Sequence, residues 1–372
     1  MEHLAKVELT SLPLPALREL FGQLGLPKFR AEQVFRWLHI RMVREWDLMT
    51  DLPKSLRERL AESAPLAKLN VVKSPISKID GSQKLVLSCH DDQIIESVVM
   101  PMPGGWTTEC ISSQVGCPMG CDFCATARIP TRRNLSAGEI VEQIAVACRL
   151  RYSGGLARGG VSGGEKGPLS ARPQNIVFMG MGEPLANFNA VVDAISILCD
   201  PKGYGFSPRR ITVSTVGLAR RVPDLIAHHP NIHLAWSLTA TTDEVRERLM
   251  PVNRGVPIAK MLEALEGLPA SSHRKITFEY ALLKGVNDGD DDARRLAKMA
   301  KAVGAHVNAI PFNVWPGAPY ERPSRNRVRK FARLVEHLGA SISLRESKGQ
   351  DIGAAFGQLA GEEGQSLPAP AS

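Results

Sequence analysis

The stretch from Cys110 to Ala127 reads Cys-Ile-Ser-Ser-Gln-Val-Gly-Cys-Pro-Met-Gly-Cys-Asp-Phe-Cys-Ala-Thr-Ala. Within it, Cys117, Cys121 and Cys124 form a C-x3-C-x2-C run. Three thiolates at that spacing, on one tight glycine-containing loop, suit three irons of a cubane cluster. A four-iron cluster normally takes four cysteines, so three leave one iron open to bind a small molecule directly. A zinc site is the competing reading. Zinc wants four ligands, usually as paired short spacings, and no second Cys/His pair of that kind follows downstream. Unconnected buried thiols are the other alternative, since free cysteines are common in cores. Three in eight residues beside Gly116, Pro118 and Gly120 do not read as core packing.

The triad resembles that of the radical S-adenosylmethionine (SAM) superfamily. There the open iron chelates the amino and carboxylate groups of SAM, and an electron from the cluster cleaves its carbon–sulfur bond. The longer string, with Cys110 seven residues before Cys117, resembles the RlmN/Cfr family of rRNA adenine methyltransferases. That similarity runs from about Leu12 to about Gly361. It implies a [4Fe-4S] cluster, SAM, and an RNA substrate (23S rRNA or tRNA). It also implies a reducing electron donor such as a flavodoxin or ferredoxin, and a chain that works as a monomer.

Composition agrees with an ordinary globular protein: 372 residues, 44% hydrophobic and 23% charged. No apolar run approaches the ~18 residues of a membrane helix, and the N-terminal residues Glu2, Lys6 and Glu8 carry no apolar signal core. A cytoplasmic address is expected. Seven cysteines, an odd number clustered in one loop, are not a secreted disulfide framework, and a reducing compartment suits them. The net charge of +8 is compatible with a polyanionic partner.

The chain divides by pattern. Residues 1–64 read as helical, with pieces at Pro15–Phe21, Phe29–Leu38 and from Leu52, where Pro53 suits a first turn. Phe29, Val34, Trp37 and Leu38 fall at helical spacing, and the resemblance makes this an RNA-holding domain. Residues 65–105 alternate as a small β extension, with strands near Val71–Ser74, Lys84–Ser88 and Ile94–Met100 and a turn at Asp80-Gly81. Residues 106–345 alternate apolar strands (Glu109–Val115, Asn175–Gly180, Arg210–Thr215, His233–Leu238, Lys275–Leu282, His306–Phe312) with helices such as Ala137–Tyr152 and Phe188–Leu198. Such alternation implies parallel pairing through right-handed crossovers. The fold expected is therefore α/β: a partial (β/α)6 radical SAM barrel with an N-terminal helical domain and a small β extension. Residues 346–361 form a C-terminal active-site segment and 362–372 a disordered tail. The glycine-rich stretch 153–167 reads as a flexible surface loop.

Further site residues come with the resemblance. Asn175-Ile-Val-Phe-Met-Gly-Met-Gly-Glu-Pro is an apolar strand ending in a glycine turn, whose glycines let backbone approach a ligand closely. Gly182 and Glu183 match the position that cradles the SAM amino group. Ser214, Ser237, Leu238, Thr239 and Asn313 match SAM contacts at later strand ends; Thr239 stands where the family often has histidine. Short polar side chains there suit ribose hydroxyls and an adenine edge, although each alone reads as a loop cap. Glu96 reads by periodicity as a solvent-facing strand carboxylate, and by resemblance as a proton acceptor. Arg128, Arg132 and Arg133, with Arg322, Arg325, Arg327, Arg329, Lys330 and Arg333, suit phosphate contacts, or else a solvated helix face.

The family uses two cysteines outside the cluster. Cys110 matches the one that resolves the covalent adduct as a disulfide. The methyl-carrying one maps onto Lys348-Gly-Gln-Asp-Ile-Gly-Ala-Ala-Phe-Gly-Gln-Leu, where this chain has Phe356. A phenyl ring accepts no methyl group. Cys89 or Cys148 as a substitute thiol has no motif behind it. Three readings follow: an RlmN/Cfr-type RNA methyltransferase, a family offshoot with different radical chemistry, or a cluster-containing RNA-binding protein without turnover.

Overall fold

The computed structural model describes residues 7–66, 68–153, 167–269, 271 and 276–360. The glycine-rich stretch and the tail expected to be disordered therefore lie outside the described residues, apart from their bordering residues. The N-terminal part holds three helices, α1 (Leu14–Gln23), α2 (Lys28–His39) and α3 (Lys54–Ser63). Pro53 sits one residue ahead of α3, as its N-cap. The buried stripe of α2 is Ala31, Val34, Phe35 and Leu38, which differs from the expected one. Phe29 is 54% exposed, with the Arg30 guanidinium 4.8 Å from its ring centre. Position 29 lies in the first turn, before the helix meets its neighbours.

The remainder is built on one ten-stranded sheet. Three antiparallel strands, β1 (Asn70–Lys73), β2 (Gln83–Ser88) and β3 (Ile94–Pro101), lead into β4 (Thr107–Cys110). From β4 onward the neighbours run parallel and in chain order: β7 (Asn175–Phe178), β8 (Ile211–Thr215), β9 (His233–Ser237), β10 (Ile276–Leu282), β11 (His306–Pro311) and β12 (Ile342–Leu344). The central strands are apolar runs because layers cover both faces. β5 (Gln114–Val115) and β6 (Arg133–Asn134) form a separate ribbon. The expected strand Glu109–Val115 is thus two short ones, interrupted where Ser112 and Ser113 turn inward and are buried.

The crossovers carry α4 (Ala137–Ser153), α5 (Phe188–Cys199), α6 (Val222–His228), α7 (Asp243–Leu249), α8 (Ile258–Glu266), α9 (Asp290–Val303) and α10 (Arg325–His337). Local chemistry sets their ends. α9 opens on Asp290, Asp291 and Asp292 and closes on Gly304 at φ 65°, which favours the dipole and satisfies the last carbonyls. The Ser324 hydroxyl caps α10 by accepting from the Arg327 N–H.

The sheet is an open, partial barrel whose edges are β1 and β12. The chain after β12 connects the two edge regions. The Ser77 hydroxyl donates to Asp351 Oδ1 at 2.7 Å, and the Gly349 N–H donates to Asp80 Oδ2 at 2.8 Å. Asp80-Gly81, expected as a plain turn, is thus also the dock for this C-terminal strap. Among the described residues no helix is long and apolar enough to cross a membrane.

Candidate active site

Parallel strands present their C-terminal ends on one side, and β/α folds build chemistry there. Here those ends surround one cavity. It is lined by Cys110 at the end of β4, by Cys117, Cys121 and Cys124, by Gly182 and Glu183 after β7, by Ser214 of β8 and Ser237 of β9, and by Phe356 from the strap. The Ser214 and Ser237 hydroxyl oxygens lie 3.3 Å apart. Leu238, Thr239, Asn313 and Glu96 are not part of this lining.

The three triad thiols approach the cavity from one loop. Gly116 must be glycine: its φ is 76°, and a Cβ would meet Pro130 O at 2.7 Å. Burial pushes the Cys117 thiol up to about 12 and raises Cys121 and Cys124 as well. Unliganded, these groups are protonated; iron would displace the protons and take up the charge. Among the described residues, no three His, Cys, Asp or Glu side chains converge on a single metal ion. Tetrahedral zinc needs such convergence. With one thiolate on each of three irons, the triad would suit a four-iron cluster with one open iron.

Gly180 and Gly182 line the cavity and also serve a packing role. A Cβ on Gly180 would meet Ile111 O at 2.7 Å, and one on Gly182, at φ 101°, would meet Gln114 Cβ at 2.6 Å. Their bareness lets the turn after β7 pack on the string that precedes the cysteines. Gln114 completes the joint, with its Oε1 accepting from the Glu183 N–H at 2.8 Å. Glu183 is fully enclosed, and burial raises its pKa to about 7 against the lowering pull of its hydrogen bonds. Its oxygens accept from the Leu185 N–H at 3.0 Å and the Val216 N–H at 2.8 Å. With the Thr215 hydroxyl as a third donor, the carboxylate still has acceptor capacity left, so it can accept from an ammonium group such as that of SAM.

Asn313 stands behind the strap. Its Nδ2 donates to Phe356 O at 3.1 Å, and its buried Oδ1 has no hydrogen-bond partner among the described residues. An unused buried acceptor is costly, and a bound cofactor donor would satisfy it. Thr239 has φ 55°, strained for a β-branched residue. Its carbonyl and that of Ala281 both accept from Asn287 Nδ2. Leu238 is buried, and its N–H donates to Glu279 O at 3.1 Å.

Three expectations need correction. Glu96 does not face solvent: it is fully buried on β3, with Oε1 3.5 Å from Nζ of the equally buried Lys84. Strand alternation marks one face but cannot say that both are covered. Arg133 is held by Asp91 and Glu139 at 2.7 Å each, and Asp290 holds Arg327 at 2.6 Å and Lys330 at 2.7 Å. These cations are committed within the fold, whereas Arg132, Arg322, Arg325, Arg329 and Arg333 have exposed side chains. Finally, Cys89, Cys148 and Cys199 do not line the cavity. Cys148 is wholly buried on α4, and Cys199 ends α5. Cys110 is therefore the one non-triad thiol in the lining. Burial pushes it up to about 12, and the Met179 N–H donates to it.

Sequence reasoning missed the positioning residues Gln114 and Asn187. Asn187 Nδ2 donates to Ser113 O at 2.8 Å and Leu135 O at 2.7 Å, pinning the cysteine string to the β7 turn. Polar residues in a turn or helix read as solvated, and nothing local marks them as buried.

Known proteins resemble this chain in sequence and in fold. Residues 7–66 match the family described as the ribosomal RNA large subunit methyltransferase N-terminal domain, and residues 169–297 match the radical SAM superfamily. A dual-specificity RNA methyltransferase RlmN from Syntrophotalea carbinolica is 41% identical, covering 100% of this chain and 94% of that protein. Its counterpart from Dinoroseobacter shibae is 44% identical, covering 95% and 89%. The crystal structure of a radical SAM methyltransferase from Sphaerobacter thermophilus superposes with a TM-score of 0.86 at 40% identity, covering 96% of this chain and 100% of that one. With full-length likeness in sequence, in fold and in both matched segments, the chain belongs to the RlmN family of radical SAM methyltransferases.

Proposed function

We propose that this protein methylates a ring carbon of an adenine in RNA, with 23S rRNA as the first target to test and tRNA as the second. The observation that carries the reading is the convergence of the cysteine triad, the Gly182-Glu183 turn and the two serines on one cavity. Membership of the family brings a [4Fe-4S] cluster and SAM. Neither alternative, different radical chemistry or RNA binding without turnover, is favoured beside relatives named as methyltransferases over nearly the whole chain.

Held by Cys117, Cys121 and Cys124, the cluster would supply the electron that cleaves SAM. The chain's own groups do the rest. Glu183 offers its remaining lone pairs to the SAM ammonium; Ser214 and Ser237 offer hydroxyls to its sugar and base edge. Leu238, Thr239 and Asn313 support that pocket from behind its lining. Burial excludes water from the reacting end, where Cys110 and Phe356 face the same space. A protein-borne methyl group in this cavity has one thiol available, Cys110. A disulfide between positions 110 and 356 has no second sulfur here, so release of product depends on another thiol or on another base-assisted route. By the family resemblance Glu96 serves as the proton acceptor, with Lys84 Nζ 3.5 Å from its Oε1.

The reductant is a low-potential carrier of the flavodoxin or ferredoxin class, and the protein acts as a cytoplasmic monomer. The test is mass spectrometry of rRNA and tRNA from a deletion strain and its complemented parent. A C-methyladenosine that disappears with the gene and returns with it supports the reading. Identical methylation in both strains contradicts it.

A further inference from the structure

Arg246 sits on α7 with a side chain that is 1% exposed. Its Nε donates to Leu238 O at 3.0 Å and its Nη1 to Asn253 Oδ1 at 2.9 Å. Its Nη2 reaches Ser237 O at 3.3 Å and also Val216 O. The Trp236 ring lies 5.4 Å away. Every one of these partners is neutral. Of the carboxylates on the same helix, Asp243 acts on Arg246 through space but accepts its hydrogen bonds from Asn253 Nδ2 and the Ile258 N–H, each at 2.9 Å, and Glu247 pairs with Arg254 at 2.9 Å. No ion pair to Arg246 occurs among the described residues. A buried charge with no direct ion pair is strongly unfavourable, so a negative group in the adjoining site would stabilise it.

The surroundings say where. α7 abuts the triad loop: the Asp122 N–H donates to Leu249 O at 2.9 Å. Met250, the residue after α7, lines the cavity beside Cys121. Two of Arg246's carbonyl acceptors belong to Val216 and Ser237, which line it too. Three thiolates outweigh the charge of an oxidised cluster core, so the assembled centre is anionic, and one-electron reduction makes it more so.

We propose that Arg246 is the fixed counter-charge of the iron–sulfur centre, raising its reduction potential while tying the ends of β8 and β9 to it. It is a positioning residue that acts through the cluster ligands, and the proposal rests on the cluster reading. The electron comes from the external low-potential donor; Arg246 sets how readily the centre accepts it.

The test compares full-length wild type, Arg246→Lys, Arg246→Gln and Arg246→Met after anaerobic reconstitution. Iron and sulfide are assayed first, and the reduced signal is then followed by electron paramagnetic resonance in a potentiometric titration. Loss of the charge in Met or Gln should lower the reduced-to-oxidised ratio at fixed potential about tenfold, a shift of about 59 mV. Lys, which keeps the charge but loses the planar fork, should recover most of it. Gln retains hydrogen-bonding capacity and replaces Met as the neutral variant should Met not fold. Loaded neutral variants that titrate at the wild-type potential overturn the proposal. Failure of the wild type itself to take up iron would overturn the cluster reading instead.

Discussion

Replacing Phe356 by Cys asks whether the strap presents this position to the cofactor. The ring packs, partly buried, on the apolar group that includes Cys121, Phe123, Phe312 and Trp315. Truncating a fully buried Phe costs ~3–5 kcal/mol. Partial exposure and the retained sulfur bring the expected loss to about 2 kcal/mol. Backbone and polar anchors hold the strap independently of the ring. The Asn313 side chain donates to Phe356 O at 3.1 Å, the Ala125 N–H to Gly357 O at 2.8 Å, and the Thr126 hydroxyl to Leu359 O at 2.6 Å. With the Ser77–Asp351 and Asp80–Gly349 contacts, at ~1 kcal/mol each, the anchors outweigh the loss. The variant should therefore keep its strap docked and place a thiol in the cavity. The assay incubates cluster-loaded wild type and variant with methyl-labelled SAM and maps the label by peptide mass spectrometry, with near-ultraviolet circular dichroism as the folding check. Phe356→Cys should gain a methyl thioether at residue 356, whereas wild-type label should sit on Cys110. A folded, loaded variant that labels Cys110 alone would refute the placement of position 356 beside the cofactor.

Other perturbations follow from the same geometry. Gly182→Ala adds a Cβ 2.6 Å from Gln114 at φ 101°. Denaturation should show a loss of ~2–4 kcal/mol, with weakened SAM binding; Gly255→Ala, whose added Cβ would sit 3.8 Å from Val252 O, is the control. Glu183 has a raised carboxyl pKa, so its contribution to stability in the cofactor-free protein is full below its unfolded value of 4.5 and is lost as pH rises through about 7. Glu183→Gln should flatten the stability profile across that window, by up to ~3 kcal/mol; an unchanged profile would show that the carboxyl does not titrate there. Arg325→Ala and Arg329→Ala should weaken RNA binding and reduce its salt dependence, while Lys330→Ala, whose cation is already paired with Asp290, should change it less.

The parallel strands were legible because covered strands are continuous apolar runs, and the helices between them force their order. β12 was not: Ile342, Ser343 and Leu344 make a three-residue edge strand with little buried. The triad was legible because its chemistry is local in sequence. Arg246 was not, since Asp243-Glu-Val-Arg-Glu-Arg-Leu has the composition of a solvated helix, and only the packing of α7 against the loop of Cys121 encloses one of its arginines. Glu96 and Lys84 likewise alternate as half-exposed strand residues do, and their burial together depends on layers formed by distant segments. The glycines of the Met-Gly-Met-Gly-Glu turn were read as a ligand cradle; that they also permit a close approach to Ile111 and Gln114 was not legible, because those contacts are made across the sheet.

SAM cleavage at the cysteine triad is the most direct test of the radical chemistry. Protein reconstituted and reduced without oxygen should form 5′-deoxyadenosine from SAM, and the signal of its reduced cluster should change when SAM is added. Both should vanish in Cys117→Ala, Cys121→Ala and Cys124→Ala and persist in Cys89→Ala, Cys148→Ala and Cys199→Ala. A loaded wild type that leaves SAM intact, or triad variants that still cleave it, would contradict the central claim.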